Sequence, residues 1–383
     1  MSQAGMGRRA LPPGLDLNLD RLESKGRLLL ERTTTRIWWY AAGLCLVLGG
    51  AAAGLQAPVA GAWFWHLATG ELIAAHGFAG SATYLAHSGR SLDLRSWLSD
   101  LGTYLLYRGW GLGGLAVLGA LGGAATGLVI LLGAWRRRAH PLILLLAGGL
   151  GLLALAPLLT DFAAETLALL AGLLLVVLEL LPSRGRWGAL GMVVLVALWA
   201  NTQSDAALAV LVFWGWVVFA RWDASQGRRA NAPSWWLLPL TAAALLLSPR
   251  GIGAVTALPL SLGALGEHPL LAAWSSIDFH PWSARVAELA GLVLIVAYWL
   301  ARGRLRRADA YLGLVTATLA LIWSNYLPWF LVVAAGHSAW YLTEALSAGR
   351  ARGDRRSRPG PGDGRSLGLT AAVPSLLVIA LLA

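Results

Sequence analysis

LGGLAVLGALGGAATGLVILLGAWRRRAHPLILLLAGGLGLLALAPLLT, residues 112–160, is an apolar run, three consecutive arginines and a second apolar run. One helical crossing of a bilayer needs about 20 apolar residues. Leu112 to Trp135 and Pro141 to Thr160 therefore read as a membrane hairpin, with the Arg136 to Arg138 turn retained on the cytoplasmic side by its charge. The same alternation extends through the chain. Of its 30 basic residues, seven fall between Arg8 and Arg36, three at Arg136 to Arg138, two at Arg184 and Arg186, three between Arg221 and Arg229, four between Arg302 and Arg307, and six between Arg350 and Arg365. Only Arg90, Arg95, Arg108, Arg250 and Arg285 lie elsewhere. With all six clusters cytoplasmic, every connection between them crosses the membrane an even number of times, which few wrong topologies would allow.

The expected spans are Ile37 to Gln56, Leu112 to Trp135, Pro141 to Thr160, Glu165 to Pro182, Gly188 to Ala200, Ala206 to Ala220, Trp235 to Ser248, Val286 to Ala301, Ala310 to Trp323, Leu327 to Leu346 and Leu367 to Ala383. The fold class is thus all-α, a polytopic integral membrane protein of about 11 transmembrane helices. The Gly188 and Trp235 spans are short and need tilt or thin bilayer. Trp38, Trp39, Trp135, Trp187, Trp199, Trp222, Trp235, Trp236 and Trp299 sit near span ends, where interfacial aromatic belts belong. Residues 1–36 form a cytoplasmic basic tail. Its Leu15, Leu19, Leu22 and Leu29 suit an interfacial helix, while 15–19 also alternates like a strand. Residues 347–366 are low in complexity and basic, expected as a disordered cytoplasmic linker before the last span.

Composition excludes several classes. A chain of 383 residues with 57% hydrophobic and 13% charged residues has lipid as its main solvent, since soluble domains carry about 25% charge. The net charge of +11 is divided among short loops, which suits anionic headgroups and topology, not a nucleic-acid stripe. Cys45 is the only cysteine, so an intrachain disulfide and a thiolate zinc site are both excluded. Lys25 is the only lysine, and the excess of Arg, Ala, Gly and Leu matches GC-rich bacterial coding. No Gly-rich loop with a lysine is present to cradle ATP.

Function is then sought on the Arg-poor, outer side. Its largest piece is the loop of residues 57–111. On a helix starting at Trp63, His66, Gly70 and Ile73 share one face, and Trp63, Leu67 and Ala74 another. Ser96 to Tyr107 is again amphipathic, and the two stretches are expected to roof a cavity walled by transmembrane helices. Acids gather on the same side: Glu71, Asp93, Asp100, Asp161, Glu165, Asp205, Glu267 and Asp278, with Glu288 just inside a later helix. Asn201, Gln203 and Asp205 follow a short span, where polar groups in lipid normally face a cavity. Asp161 and Glu165, one turn apart, also suit a helix N-terminus. Arg250 suits a phosphate clamp or a snorkelling helix end. His337, mid-span, has Glu288 as its expected partner or serves a small-residue packing face with Gly336 and Ser338.

In the order Trp65-His66-Leu67-Ala68-Thr69-Gly70, Ser96-Trp97-Leu98, Leu198-Trp199-Ala200-Asn201, Ser248-Pro249-Arg250-Gly251, Ala273-Trp274-Ser275-Ser276 and Tyr326-Leu327-Pro328-Trp329-Phe330, the chain resembles bacterial multispanning proteins related to the GT-C glycosyltransferases. The resemblance covers most of Ile37 to Leu346. It implies transfer of a sugar from a polyprenyl-phosphate donor to an extracytoplasmic glycan, lipid or protein, in the bacterial inner membrane. It also implies an outer carboxylate acting as general base, drawn from Glu71, Asp100, Asp161 and Glu165. His66, Asn201, Gln203, Asp205, Arg250 and Trp274 would contact substrate, with Arg250 on the lipid phosphate. The chain departs from the pattern where relatives carry acids: those places hold Ala60 and Ala62, Ser81 or Ala82, and Ser96, and Gln203 stands where relatives often carry histidine. Two readings follow, acidity moved to other positions or a catalytically degenerate scaffold or lipid-binding subunit. A transporter or flippase is a third. No cofactor is expected; a divalent cation between outer carboxylates and a lipid phosphate is the one ion this reading accommodates.

Overall fold

A computed structural model describes residues 19–55, 60–79, 94, 96–159, 162–227, 233–253, 255 and 277–356. The expected last span, the loop acids Asp93 and Asp161, and Trp274 lie outside the described residues. Those described are helical, with no strand among them. Contacts divide the chain into a short N-terminal unit, residues 1–41, and a main unit, residues 42–383.

The helices are α1 (Leu19–Gly54), α2 (Ala60–His76), α3 (Trp97–Arg136), α4 (Pro141–Leu155), α5 (Phe162–Arg184), α6 (Arg186–Thr202), α7 (Ala206–Ser225), α8 (Leu237–Leu245), α9 (Trp282–Leu300), α10 (Arg307–Ile322) and α11 (Leu327–Arg356). Four stretches, Thr35–Gly54, Trp97–Arg136, Ala206–Ser225 and Trp282–Leu300, are long and apolar enough to cross a membrane, and Pro141–Leu155 and Thr166–Leu178 are shorter apolar helices. This is a helical membrane protein.

Several expectations need correction. The first helix runs unbroken from Leu19 to Gly54, so the tail from Leu19 onward is continuous with the expected first span, while residues 15–18 of the strand-like alternation lie outside the described residues. Ser347 to Arg356, expected as linker, continues α11, because nothing in Ser-Ala-Gly-Arg-Ala-Arg-Gly-Asp-Arg-Arg stops a helix before Pro359. The expected Trp235 span contains only the nine-residue α8, followed by turns through Gly251. At about 1.5 Å per residue such a helix cannot cross a bilayer alone. Gly111 has φ +59° and breaks α3 into an arm, Trp97 to Trp110, and a segment from Leu112 to Arg136 that contains the expected span Leu112 to Trp135. A left-handed φ at a residue with no Cβ costs little. The two halves fold back on each other closely enough that a Cβ on Gly114 would lie 2.7 Å from the Leu106 carbonyl oxygen.

α11 is the central helix. It packs on α4, α5, α9 and α10, and its residues from Leu327 to Ala335 are buried. An all-round apolar helix is what a core position demands. On α1 and α3, Gly50 and Gly54 meet Gly119 and Gly123 with backbone against backbone, leaving no room for a side chain at any of the four. Lipid supplies no hydrophobic drive between helices, so such close small-residue contact carries their association.

Candidate functional site

Two polar clusters form at opposite ends of the bundle. The first lies at the Arg-poor end, where α2, the α3 arm, the α6–α7 turn and the start of α11 meet.

α2 presents Trp63, Thr69, Gly70 and Ile73 buried, with His66 partly buried, while Phe64, Trp65 and Glu71 are exposed. Trp63 therefore shares the His66 face, contrary to the expected division, because positions three, seven and ten residues apart remain within one side of a 3.6-residue helix. Gly70 packs directly on the backbone of Asp100. That contact brings His66 and Asp100 together: His66 Nδ1 pairs with Asp100 Oδ1, and Asp100 is 1% exposed. The Ser96 hydroxyl donates to the same carboxylate, 3.2 Å from Oδ1 and 3.1 Å from Oδ2.

The arm also ties to α6. Trp97 Nε1 donates to Asn201 Oδ1 at 2.6 Å, and Ser99 Oγ donates to the Thr202 carbonyl at 3.0 Å. Asn201 Nδ2 donates to the Ala197 carbonyl at 2.7 Å, so the amide is fixed from both sides. Trp199 Nε1 donates to Asp205 Oδ1 at 2.8 Å. Burial pushes the Asp205 carboxyl up to about 6 against the pull of that hydrogen bond. Tyr326, in the short turn before α11, is raised by burial and then by the nearby Asp205 charge. Trp329 packs on both Trp199 and Tyr326, with ring centroids at 5.3 and 6.4 Å. Below the arm is a recess of about 280 Å³ lined by Ser99, Thr103, Thr166, Leu198 and Thr202 among others. The Thr103 hydroxyl there is buried without a hydrogen-bond partner.

Of the expected site residues, His66, Asp100, Asn201 and Asp205 are thus in one region. Gln203 caps α6 beside them, its N–H on the Trp199 carbonyl at 2.9 Å. Glu71 is exposed on α2, and Glu165 lies in the first turn of α5. Arg250 is partly buried past the end of α8, its backbone N–H on Ser248 Oγ at 3.4 Å. Trp97 and Trp199, which stood in the ordered motifs but outside the expected site residues, orient Asn201 and Asp205. Their position beside a polar triplet at a helix end was the available signal. No group of three or more His, Cys, Asp or Glu side chains suited to a metal occurs among the described residues.

The second cluster, at the Arg-rich end, was missed. Arg137 donates to Asp309 Oδ1 and Oδ2 at 3.3 and 3.5 Å, and both side chains are nearly fully buried. The Tyr341 hydroxyl donates to Asp309 Oδ2 at 2.8 Å. The Tyr298 hydroxyl donates to the Asp309 carbonyl at 2.9 Å and sits 2.6 Å from His337 Nδ1, which makes the ring nitrogen the donor in the second bond. His337 is therefore partnered by Tyr298, with Asp309 at 3.8 Å, and not by Glu288, which is exposed on α9. Arg137 and Arg306 both lie over the Trp340 ring at 4.5 Å. Asp223, fully buried, accepts the Ala308 N–H at 3.1 Å at the start of α10. The acids Asp223 and Asp309 sit inside basic clusters, where topogenic charge concealed their roles.

No family model, curated protein or solved structure matches this chain.

Proposed function

We propose that the protein is a bacterial inner-membrane glycosyltransferase of GT-C type, with about 11 crossings, Arg-rich loops and N-terminus cytoplasmic, transferring a sugar from a polyprenyl-phosphate donor to an acceptor on the outer face. The convergence of His66–Asp100, Trp97–Asn201 and Trp199–Asp205 at the Arg-poor end carries this reading. Three hydrogen bonds between side chains hold polar groups in fixed orientation at one mouth, as a reaction site requires.

In this account Asp100 holds the His66 Nδ1–H, which puts the proton-accepting lone pair on Nε2. His66 takes the acceptor hydroxyl proton as the oxygen bonds to the anomeric carbon. The bond from that carbon to the phosphate oxygen breaks, and its electron pair leaves with the polyprenyl phosphate. Asn201 and Asp205 would bind sugar hydroxyls, and Arg250 would steady the leaving phosphate. A divalent cation joining outer carboxylates to that phosphate belongs to the same proposal.

The experiment is transfer from a panel of undecaprenyl-phosphate sugars by purified protein. Replacement of His66 by Ala or Asp100 by Asn should reduce the rate by roughly 10² or more, the usual value of a positioned base. A folded protein with no transfer from any donor would favour the scaffold or lipid-binding reading. The transporter reading draws on the buried His337, whose Nε2 has no hydrogen-bond partner. Flux abolished by His337→Ala would support it.

A further inference from the structure

The α9 and α10 helices are consecutive, yet each packs on α11, α9 also on α4 and α10 also on α7. Between them lies a groove of about 620 Å³. Small residues open it: Gly291 on α9, and Ala310, Gly313 and Ala317 on α10. Leu327 and Phe330 of α11 form its floor. Its rim residues Ile295 and Leu314 are 64% and 70% exposed, so in a membrane the slot opens sideways to lipid.

Two lining side chains carry polar atoms, Tyr298 and Glu288. Tyr298 is already satisfied by Asp309 and His337. Glu288 is exposed and has no hydrogen-bond or ion-pair partner among the described residues. Arg285, one turn towards the Arg-poor end, is exposed as well and does not pair with it. A lone carboxylate in an apolar groove facing hydrocarbon is expensive without a compensating charge. Its complement is a single cation carried on a hydrocarbon body.

Dimensions narrow that body. Glu288 stands six residues inside α9 from Trp282, or about 9 Å at the helical rise. From Glu288 to Tyr298 the groove runs about 15 Å further. Tyr298 belongs to the cluster at the Arg-rich end, so a chain laid in the slot runs from Glu288 towards that end.

We propose that this groove binds phosphatidylethanolamine, its ammonium on Glu288 and one acyl chain along the slot towards Tyr298. An ammonium has three N–H donors for a carboxylate, a choline headgroup has none, and an anionic glycerol headgroup is repelled.

The test is native mass spectrometry of the delipidated full-length protein, incubated with equal amounts of phosphatidylethanolamine, phosphatidylcholine and phosphatidylglycerol of the same acyl chains. Wild type should retain phosphatidylethanolamine about tenfold over phosphatidylglycerol, as one charge-assisted contact supplies. Glu288→Gln should reduce that ratio to near one while thermal stability is kept, and Ala317→Phe, which fills the slot, should reduce retention of all three lipids. Equal retention of the three by wild type, or a preference that survives Glu288→Gln, would overturn the assignment. A species of twice the mass with no lipid would also overturn it, giving the groove to a second copy of the chain.

Discussion

Asp205 and Asp100 are both carboxylates at the Arg-poor end, but their surroundings differ. Asp100 is held by the Ser96 hydroxyl and the His66 ring, whereas Asp205 takes the Trp199 indole and its own backbone N–H while burial, the larger effect, raises it from 3.8 to about 6. A carboxyl raised in the folded state binds its proton there more tightly than in the unfolded chain. Between about pH 4 and 6 the folded state therefore holds more protons, and the contribution of Asp205 to stability falls as pH rises through that window. Thermal unfolding in detergent at pH 5 and pH 7.5 should show wild type gaining more from acidification than Asp205→Asn. Identical gains would contradict the burial of Asp205. At this scale the sequence was informative where a polar residue stood alone: His66, Asn201 and Asp205 are conspicuous in a lipid-rich chain. It was uninformative where charge had an easier explanation. Asp223 lies between Arg221 and Arg228 and Asp309 just past Arg307, and only the packed structure reveals that Asp309 meets Arg137 and Tyr341 and that Asp223 meets the start of α10.

At the scale of elements, two contacts decide how the helices assemble. Arg137 and Asp309 link the α3–α4 turn to α10 in a nearly dry interior. Removing one partner strands the other charge, so Asp309→Ala or Arg137→Ala should each cost about 3–5 kcal/mol, and the double replacement less than the sum. A double-mutant cycle by thermal or denaturant unfolding measures this, and additive losses would refute the pairing. The α1–α3 contact is steric: Gly123→Leu should cost about 1–3 kcal/mol or more, because the Gly50 backbone occupies the space. Gly49, which faces open space, supplies the control, and Gly49→Leu should be tolerated. The four helices long and apolar enough to cross a membrane coincide with expected spans read from apolar length. The Gly111 break, the short α8 and the onward course of α11 did not follow from it, since hydropathy is blind to a single backbone angle and counts apolar residues whether or not they form one helix.

Across the whole molecule, the two polar clusters lie where the arginine pattern requires different environments. The α3 helix starts at Trp97, beside Asn201, and ends at Arg136, beside the Arg137–Asp309 pair. One end therefore gathers acids, amides and indoles, and the other gathers arginines paired to buried acids. This polarity supports the proposal that the Arg-poor end faces outward and meets a lipid-linked sugar.

Cys45 permits a direct test, because it is the only cysteine and its replacement by serine leaves a thiol-free background. Ser204, exposed between Gln203 and Asp205, then takes a single new cysteine. The account predicts that Ser204→Cys reacts with a membrane-impermeant maleimide from the outer side only, and that an undecaprenyl-phosphate sugar slows the reaction. Labelling from the cytoplasmic side, or a rate indifferent to every lipid-linked sugar, would contradict it.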